Sequence, residues 1–167
     1  MISKIEEIIK FEKILVKVGN NLDIETLIQS KKLGFSNTHI ANLCKIDLNN
    51  IYSLLNNSNS KNVYKRVDTC GNEFDSSTAY LYSTFTHEEN EYSCESRPDN
   101  LDKIVILGSG PNRIGQGIEF DYCCVQAVKS FQNLGYQTIM INCNPETVST
   151  DYDTSDKLYF VPLQFDF

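Results

Sequence analysis

No pair of cysteines in the chain is spaced Cys-X-X-Cys, and the six that occur lie far apart or as the neighbours Cys123-Cys124. That spacing excludes a zinc ribbon and reads as buried, reduced thiols. Positive charge is scarce as well, with 15 Lys and Arg against 22 Asp and Glu for a net charge of −7. Nucleic-acid binding needs a basic face that displaces counterions from phosphates, so no nucleic-acid partner is expected. No apolar run approaches the roughly 18 residues of a membrane helix, so no membrane partner is expected either. The opening Met1-Ile2-Ser3-Lys4-Ile5-Glu6-Glu7 carries charge where a secretory signal has its apolar core, which points to the cytoplasm. Internal repeats are absent too. What is present is an ordinary globular composition, 41% hydrophobic and 22% charged over 167 residues, enough for one domain or one and a half.

Charge divides the chain in three. Residues 1–66 hold ten basic and six acidic groups, residues 67–102 one against nine, and residues 103–167 four against seven. Steps this sharp predict a helical piece, an acidic connector and a second domain. In the first piece Ile2, Ile5, Ile8, Ile9 and Leu15 recur at helical spacing. Asp23 is a natural N-cap for a second helix ending at Gly34, Ser36 for a third and Asp47 for a fourth. Short helices and short turns predict a small all-α bundle. The cluster Asn49, Asn50, Asn56, Asn57, Asn59 and Asn62 reads as a loose loop, and His39 as a solvated histidine. In the connector, acids alternate with Phe74, Tyr80, Leu81, Tyr82, Phe85 and Tyr92, so this segment is expected to lie against protein surface. Nothing converges on His87 and Glu88.

The third piece carries the chemistry. Lys103-Ile104-Val105-Ile106-Leu107 is a continuous β-branched run suited to a parallel strand buried on both faces. It ends in Gly108-Ser109-Gly110-Pro111-Asn112-Arg113-Ile114-Gly115-Gln116-Gly117. A helix to about Leu134 follows, with Phe120, Cys124, Ala127, Val128, Phe131 and Leu134 on one face. Strands are predicted at Gln137–Asn142 and Leu158–Val161. Strand, glycine-rich loop, helix and strand make a βαβ unit, so the fold class is α/β with a partial parallel sheet, preceded by a small all-α domain.

A glycine-rich turn after a buried strand brings backbone N–H groups near an anion, or simply permits a tight turn. The dinucleotide pattern GxGxxG fails, because Arg113 occupies its third glycine position, and Pro111 removes one donor. The Walker pattern fails too, because Gln116-Gly117 stands where Lys-Ser/Thr is needed. Asp151, Asp153 and Asp156 do not make an EF-hand loop, whose sixth and twelfth positions would be Asp156 and Pro162. They read as solvated or capping. Glu119 at the helix start and Glu146 after the second strand belong to one sheet edge, where open α/β sheets bind ligands. Two carboxylates there can hydrogen-bond a polar guest, and Arg113 can balance their charge or bind an anion. One helix covers only one face of the sheet, so the other is expected to need further polypeptide or a partner.

These residues carry a family resemblance. GSGPNRIGQGIEFDYCCV (Gly108–Val125) and NCNPETVSTDYDTSDKLYF (Asn142–Phe160) strongly resemble the opening of the second half of the carbamoyl phosphate synthetase large chain. VYKRVDTC (Val63–Cys70) and AYLYSTF (Ala79–Phe85) are similar to the connection into that half. Residues 1–60 resemble the end of the family's helical oligomerisation domain. Thr86–Ser96 fits poorly and reads as an insertion.

The resemblance implies a pre-ATP-grasp, Rossmann-like βαβ domain. It implies an ATP-dependent ligase that makes carbamoyl phosphate from bicarbonate, ammonia and two ATP with Mg²⁺, for pyrimidine or arginine synthesis. Ammonia comes from glutamine through an amidotransferase subunit or domain. ATP-grasp modules elsewhere in the synthetase chain hold ATP and Mg²⁺, and their ligands are absent from these residues. Glu119 and Glu146 match carboxylates lining an internal tunnel, and Gly117 a small residue of its wall. Arg113 lies in the same loop as Gly108, Gly110 and Gly115. No residue matches a catalytic acid, base, nucleophile or metal ligand. The helical part implies self-association. By this reading the stretch is inactive alone. The other reading is a non-catalytic assembly module, and a weaker one is an unrelated nucleotide-binding βαβ domain.

Overall fold

The computed structural model describes residues 2–58, 60–71, 73–74, 78–86, 94–117 and 119–165, with Phe120 described by its backbone alone. His87, Glu88, Tyr92, Asn59, most of Thr86–Ser96 and the side chain of Phe120 lie outside the described residues. Contacts divide what is described into two compact units, residues 2–63 with 84–86 and residues 64–83 with 94–165.

The first unit holds four helices: α1 (Ile2–Val18), α2 (Ile24–Lys32), α3 (Asn37–Cys44) and α4 (Leu48–Asn56). The sequence places each start. Asp23 accepts from Thr26 N–H at 2.8 Å, Ser36 from His39 N–H at 3.2 Å and Asp47 from Asn49 N–H at 2.7 Å. Each bond satisfies a donor that the first helical turn leaves without a partner. After α2, Phe35 N–H returns to Ser30 C=O and Gly34 N–H to Lys31 C=O, a Schellman closure. Leu15, Leu27, Phe35, Ile40, Cys44 and Ile51 fill the core between the helices.

Three features of this unit depart from expectation. Of the α1 stripe only Leu15 is buried, while Ile2, Ile5, Ile8 and Ile9 are exposed. At about 1.5 Å per residue, the 17-residue α1 outruns helices of 8 or 9 residues, so its N-terminal half stays exposed among the described residues. The asparagine run is not one loop: Asn49, Asn50 and Asn56 lie in α4 and Asn62 in a strand. His39 is not merely solvated, since its Nε2 meets Glu12 Oε1 at 3.0 Å and its ring stacks on Phe35.

The second unit is built on a five-stranded sheet. Its strands are β1 (Lys61–Arg66), β2 (Tyr80–Thr86), β3 (Lys103–Leu107), β4 (Gln137–Asn142) and β5 (Lys157–Phe160), in the order β1-β2-β5-β4-β3. β3, β4, β5 and β2 run parallel in turn. β1 runs antiparallel to β2, with Val67 N–H bonded to Tyr80 C=O at one end and Thr86 Oγ1 to Lys61 C=O at the other. Helix α5 (Glu119–Asn133) crosses from β3 to β4, and Tyr136 N–H to Phe131 C=O closes its end around Gly135.

Register decides the two faces. Val105 pairs with Ile139 and Leu107 with Ile141, while Ile106 pairs with Met140 and Met140 in turn with Leu158. Because side chains alternate, Ile106, Met140 and Leu158 face α5 and pack on Val128. Val105, Leu107, Ile139, Ile141, Tyr159 and Val161 face the other way and line an apolar groove of about 630 Å³ with Tyr64 and Leu163. Val105 and Leu107 keep 53% and 66% of their surface exposed, as one-sided cover predicts. The expectation that β3 is buried on both faces fails, because the strand order puts β3 at the edge and β4 and β5 inside. The thiols differ as well: only Cys44 is buried, and Cys70, Cys94 and Cys123 are exposed.

Candidate functional site

The carboxyl ends of β3 and β4 meet because these strands are parallel neighbours, so the loops that leave them share one edge of the sheet. The glycine loop leaves β3 and the turn 143–150 leaves β4. Gly108 N–H continues the ladder to Ile141 C=O at 2.8 Å. A Cβ on Gly108 would stand 2.3 Å from Asn142 Cγ, so only glycine lets the two chains come this close. Two residues on, Gly110 N–H donates to Asn142 Oδ1 at 3.1 Å. Arg113 closes a small turn with Gln116, its N–H bonded to Gln116 Oε1 at 2.8 Å while Gln116 N–H returns to Arg113 C=O. Gly115 faces open space. A Cβ on Gly117 would lie 2.6 Å from Glu119 Oε2, so that carboxylate lies directly over the loop backbone.

Glu119 opens α5 and is exposed, the position where a carboxylate meets the positive end of the helix dipole. Glu146 is exposed on the second loop, where its N–H donates to Asn144 Oδ1 at 3.0 Å. The loop continues into a 3₁₀ turn over Val148–Thr150, and Thr150 Oγ1 bonds Asn144 C=O at 2.8 Å. The structure thus brings Gly108 and Gly110 onto Asn142, and Gly117 onto Glu119. Arg113 and Glu146 sit on the outer surface of their loops.

The three aspartates behave as capping or solvated groups. Asp151 and Asp153 are exposed, and Asp156 Oδ2 accepts from Thr138 N–H at 2.7 Å and from its hydroxyl at 2.8 Å. Desolvation alone would raise the Asp156 carboxyl, but the hydrogen bonds from Thr138 outweigh it and hold it below the usual carboxylate range. Among the described residues no three His, Cys, Asp or Glu side chains come together to hold a metal ion, and no helix is long and apolar enough to cross a membrane.

Comparison with known proteins matches both halves of this architecture. Residues 100–167 match the carbamoyl phosphate synthase preATP-grasp domain, and residues 1–59 match the carbamoyl-phosphate synthetase large chain oligomerisation domain. The carbamoyl phosphate synthase large chain of Vibrio cholerae is 53% identical over 162 residues, covering 96% of this chain. That of Pseudomonas aeruginosa is 50% identical over 161 residues, and that of Xanthomonas campestris 53% over 163. The chain belongs to the carbamoyl phosphate synthase large-chain family. It spans 14–15% of the length of these relatives.

In this member of the family three buried polar residues escaped the sequence reading. Asn142, Ser149 and Asp121 are buried and joined: Asn142 Nδ2 donates to Ser149 Oγ at 3.0 Å, and Ser149 N–H to Asp121 Oδ2 at 2.6 Å. A signal existed. Asn142 follows the apolar run Ile139-Met140-Ile141 at the end of the strand, and its parity with Thr138 and Met140 assigns it to the covered face, where an amide must be paired.

Proposed function

We propose that this chain is part of a glutamine-dependent carbamoyl phosphate synthetase large chain, and that its glycine loop, Glu119 and Glu146 form wall of a passage for a reactive intermediate. The observation that carries the reading is the joining of the two loops at one sheet edge, where Gly110 is bonded to Asn142 and Gly117 abuts Glu119. In such a synthetase bicarbonate is phosphorylated by one ATP, ammonia displaces the phosphate to give carbamate, and a second ATP phosphorylates carbamate. Water destroys both intermediates, so a shielded route between sites protects them. Gly117 leaves room beside the wall, the two carboxylates accept hydrogen bonds from ammonia or carbamate, and Arg113 offsets their charge. Gly108, Gly110 and Gly115 shape the loop. These residues bind and steer, and none acts as acid, base or nucleophile.

ATP and Mg²⁺ do not fit the residues present. The loop has Gln116-Gly117 in place of a phosphate-binding Lys and hydroxyl residue, and the described residues hold no carboxylate cluster for the ion. Both are proposed to bind polypeptide beyond this stretch, in ATP-grasp modules. Ammonia is proposed to come from an amidotransferase subunit or domain in the cytoplasm, with the product serving pyrimidine or arginine synthesis. Residues 1–66 are proposed as the helical oligomerisation domain, 67–102 as a connector and 103–167 as the α/β domain, with the first two segments supplying strands β1 and β2 to the sheet. The exposed isoleucines of α1 support an assembly role for the helical part.

The test is Glu146→Lys in a full-length large chain carrying this sequence. Carbamoyl phosphate formation is expected to fall while bicarbonate-dependent ATP hydrolysis and phosphorylation of added carbamate survive. Unchanged overall synthesis in a stopped assay removes the passage reading.

A further inference from the structure

Asn142 is fully buried at the end of β4, on the face that packs against α5, beside buried Ser149 and Asp121. Leucine or methionine would fill that space without an amide to satisfy. Both the oxygen and the nitrogen of the amide are engaged nonetheless. Oδ1 accepts from Gly110 N–H at 3.1 Å and from Cys143 N–H at 2.9 Å, while Nδ2 donates to Ser149 Oγ at 3.0 Å. Two backbone donors converge on one atom, so that atom must be the oxygen and the nitrogen must face Ser149. Ser149 N–H in turn donates to Asp121 Oδ2, in the first turn of α5.

Two segments therefore hang on this side chain directly, and a third, the start of α5, is tied to it through Ser149 N–H. Gly110 belongs to the loop that carries Arg113 and Gly117. Ser149 follows Glu146 by three residues, and Asp121 follows Glu119 by two. The contact is tight, since the backbone at Gly108 leaves no room for even a Cβ beside the Asn142 amide. We propose that Asn142, acting through Ser149 and Asp121, is the positioning residue that holds the glycine loop, the Glu146 turn and the start of α5 at the spacing the passage needs. This rests on the passage reading above. Asn142 does not touch the guest; it sets where Gly117, Glu119 and Glu146 stand.

The test uses Asn142→Ala and Ser149→Ala in the full-length large chain with its amidotransferase, with Glu146→Lys beside them. The readout is carbamoyl phosphate formed per ATP consumed, which general weakening of the fold would not change. Asn142→Ala is expected to lower that ratio about fivefold or more while bicarbonate-dependent ATP turnover stays within about twofold. Ser149→Ala removes only the Nδ2 partner and is expected to lower it about twofold, with the double variant no worse than Asn142→Ala because both act on one network. An unchanged ratio in both variants, or a parallel loss of every activity with the ratio intact, overturns the proposal. If Asn142→Ala does not accumulate as folded protein, the ratio for Ser149→Ala decides alone. Uncoupling by Glu146→Lys without uncoupling by Asn142→Ala and Ser149→Ala overturns the positioning role and leaves the passage standing. Coupling retained in all three removes the passage and the positioning role together.

Discussion

Asp156 is exposed as a residue yet bound twice by Thr138, and Asp99 is drawn well below the usual carboxylate range by Lys103, 2.6 Å away, and by Gln137. In both cases the folded state favours the ionised form. Their contribution to stability is therefore fully present above the ordinary carboxylate pKa of about 4 and is lost as pH falls through the lower folded values. Melting temperature followed from pH 6 to pH 2 is expected to fall below about pH 4, and Asp156→Asn to flatten that fall; an equal slope in the variant contradicts the assignment. The same scale shows what a linear reading can hold. Glu119, Glu146 and the glycines stand out by residue type and spacing. Asn142 does not, because strand parity alone gives its side but not its partners, which lie on loops distant in sequence until the fold brings them together.

Elements were legible to the extent that local chemistry specifies them. Asp23, Ser36 and Asp47 cap the helices for which they were named, and β4 runs Gln137–Asn142 as its β-branched residues predict. Strands β1 and β2 were not read, although Tyr80-Leu81-Tyr82-Ser83-Thr84-Phe85-Thr86 is rich in strand-forming residues. Their pairing joins residues far apart in sequence, Tyr80 to Leu158 and Leu81 to Tyr159, and no local pattern states a partner. The element most dependent on such pairing is β5, whose Leu158 is fully buried between Val128 and Met140. Leu158→Ala is expected to cost about 2–5 kcal/mol, the range for a leucine cavity that cannot collapse, read as a lower denaturant midpoint with the m-value unchanged. A loss below about 1 kcal/mol would mean the sheet core relaxes around the gap.

At the scale of the whole molecule, α5 covers one face of the sheet, while on the other Val105 and Leu107 stay exposed among the described residues. Val105, Leu107, Ile141 and Tyr159 form a continuous apolar surface lining the groove of about 630 Å³, opposite α5. Surfaces of this kind draw other apolar surface. The 167-residue chain by itself is expected to bind a hydrophobic dye and to self-associate, and Leu107→Lys to reduce both. A monodisperse monomer that ignores the dye in a sedimentation experiment contradicts this. The sequence by itself determined the helix starts, the βαβ unit, the glycine loop with its two carboxylates and the family, because each rests on short-range chemistry or on residues read in order. Only the tertiary structure decided that β3 is an edge strand, that the first half of α1 stays exposed among the described residues, and that one buried amide joins the loops of the candidate site. Those outcomes depend on strand order, on relative helix length and on side-chain parity across paired strands, which exist only once distant segments have met.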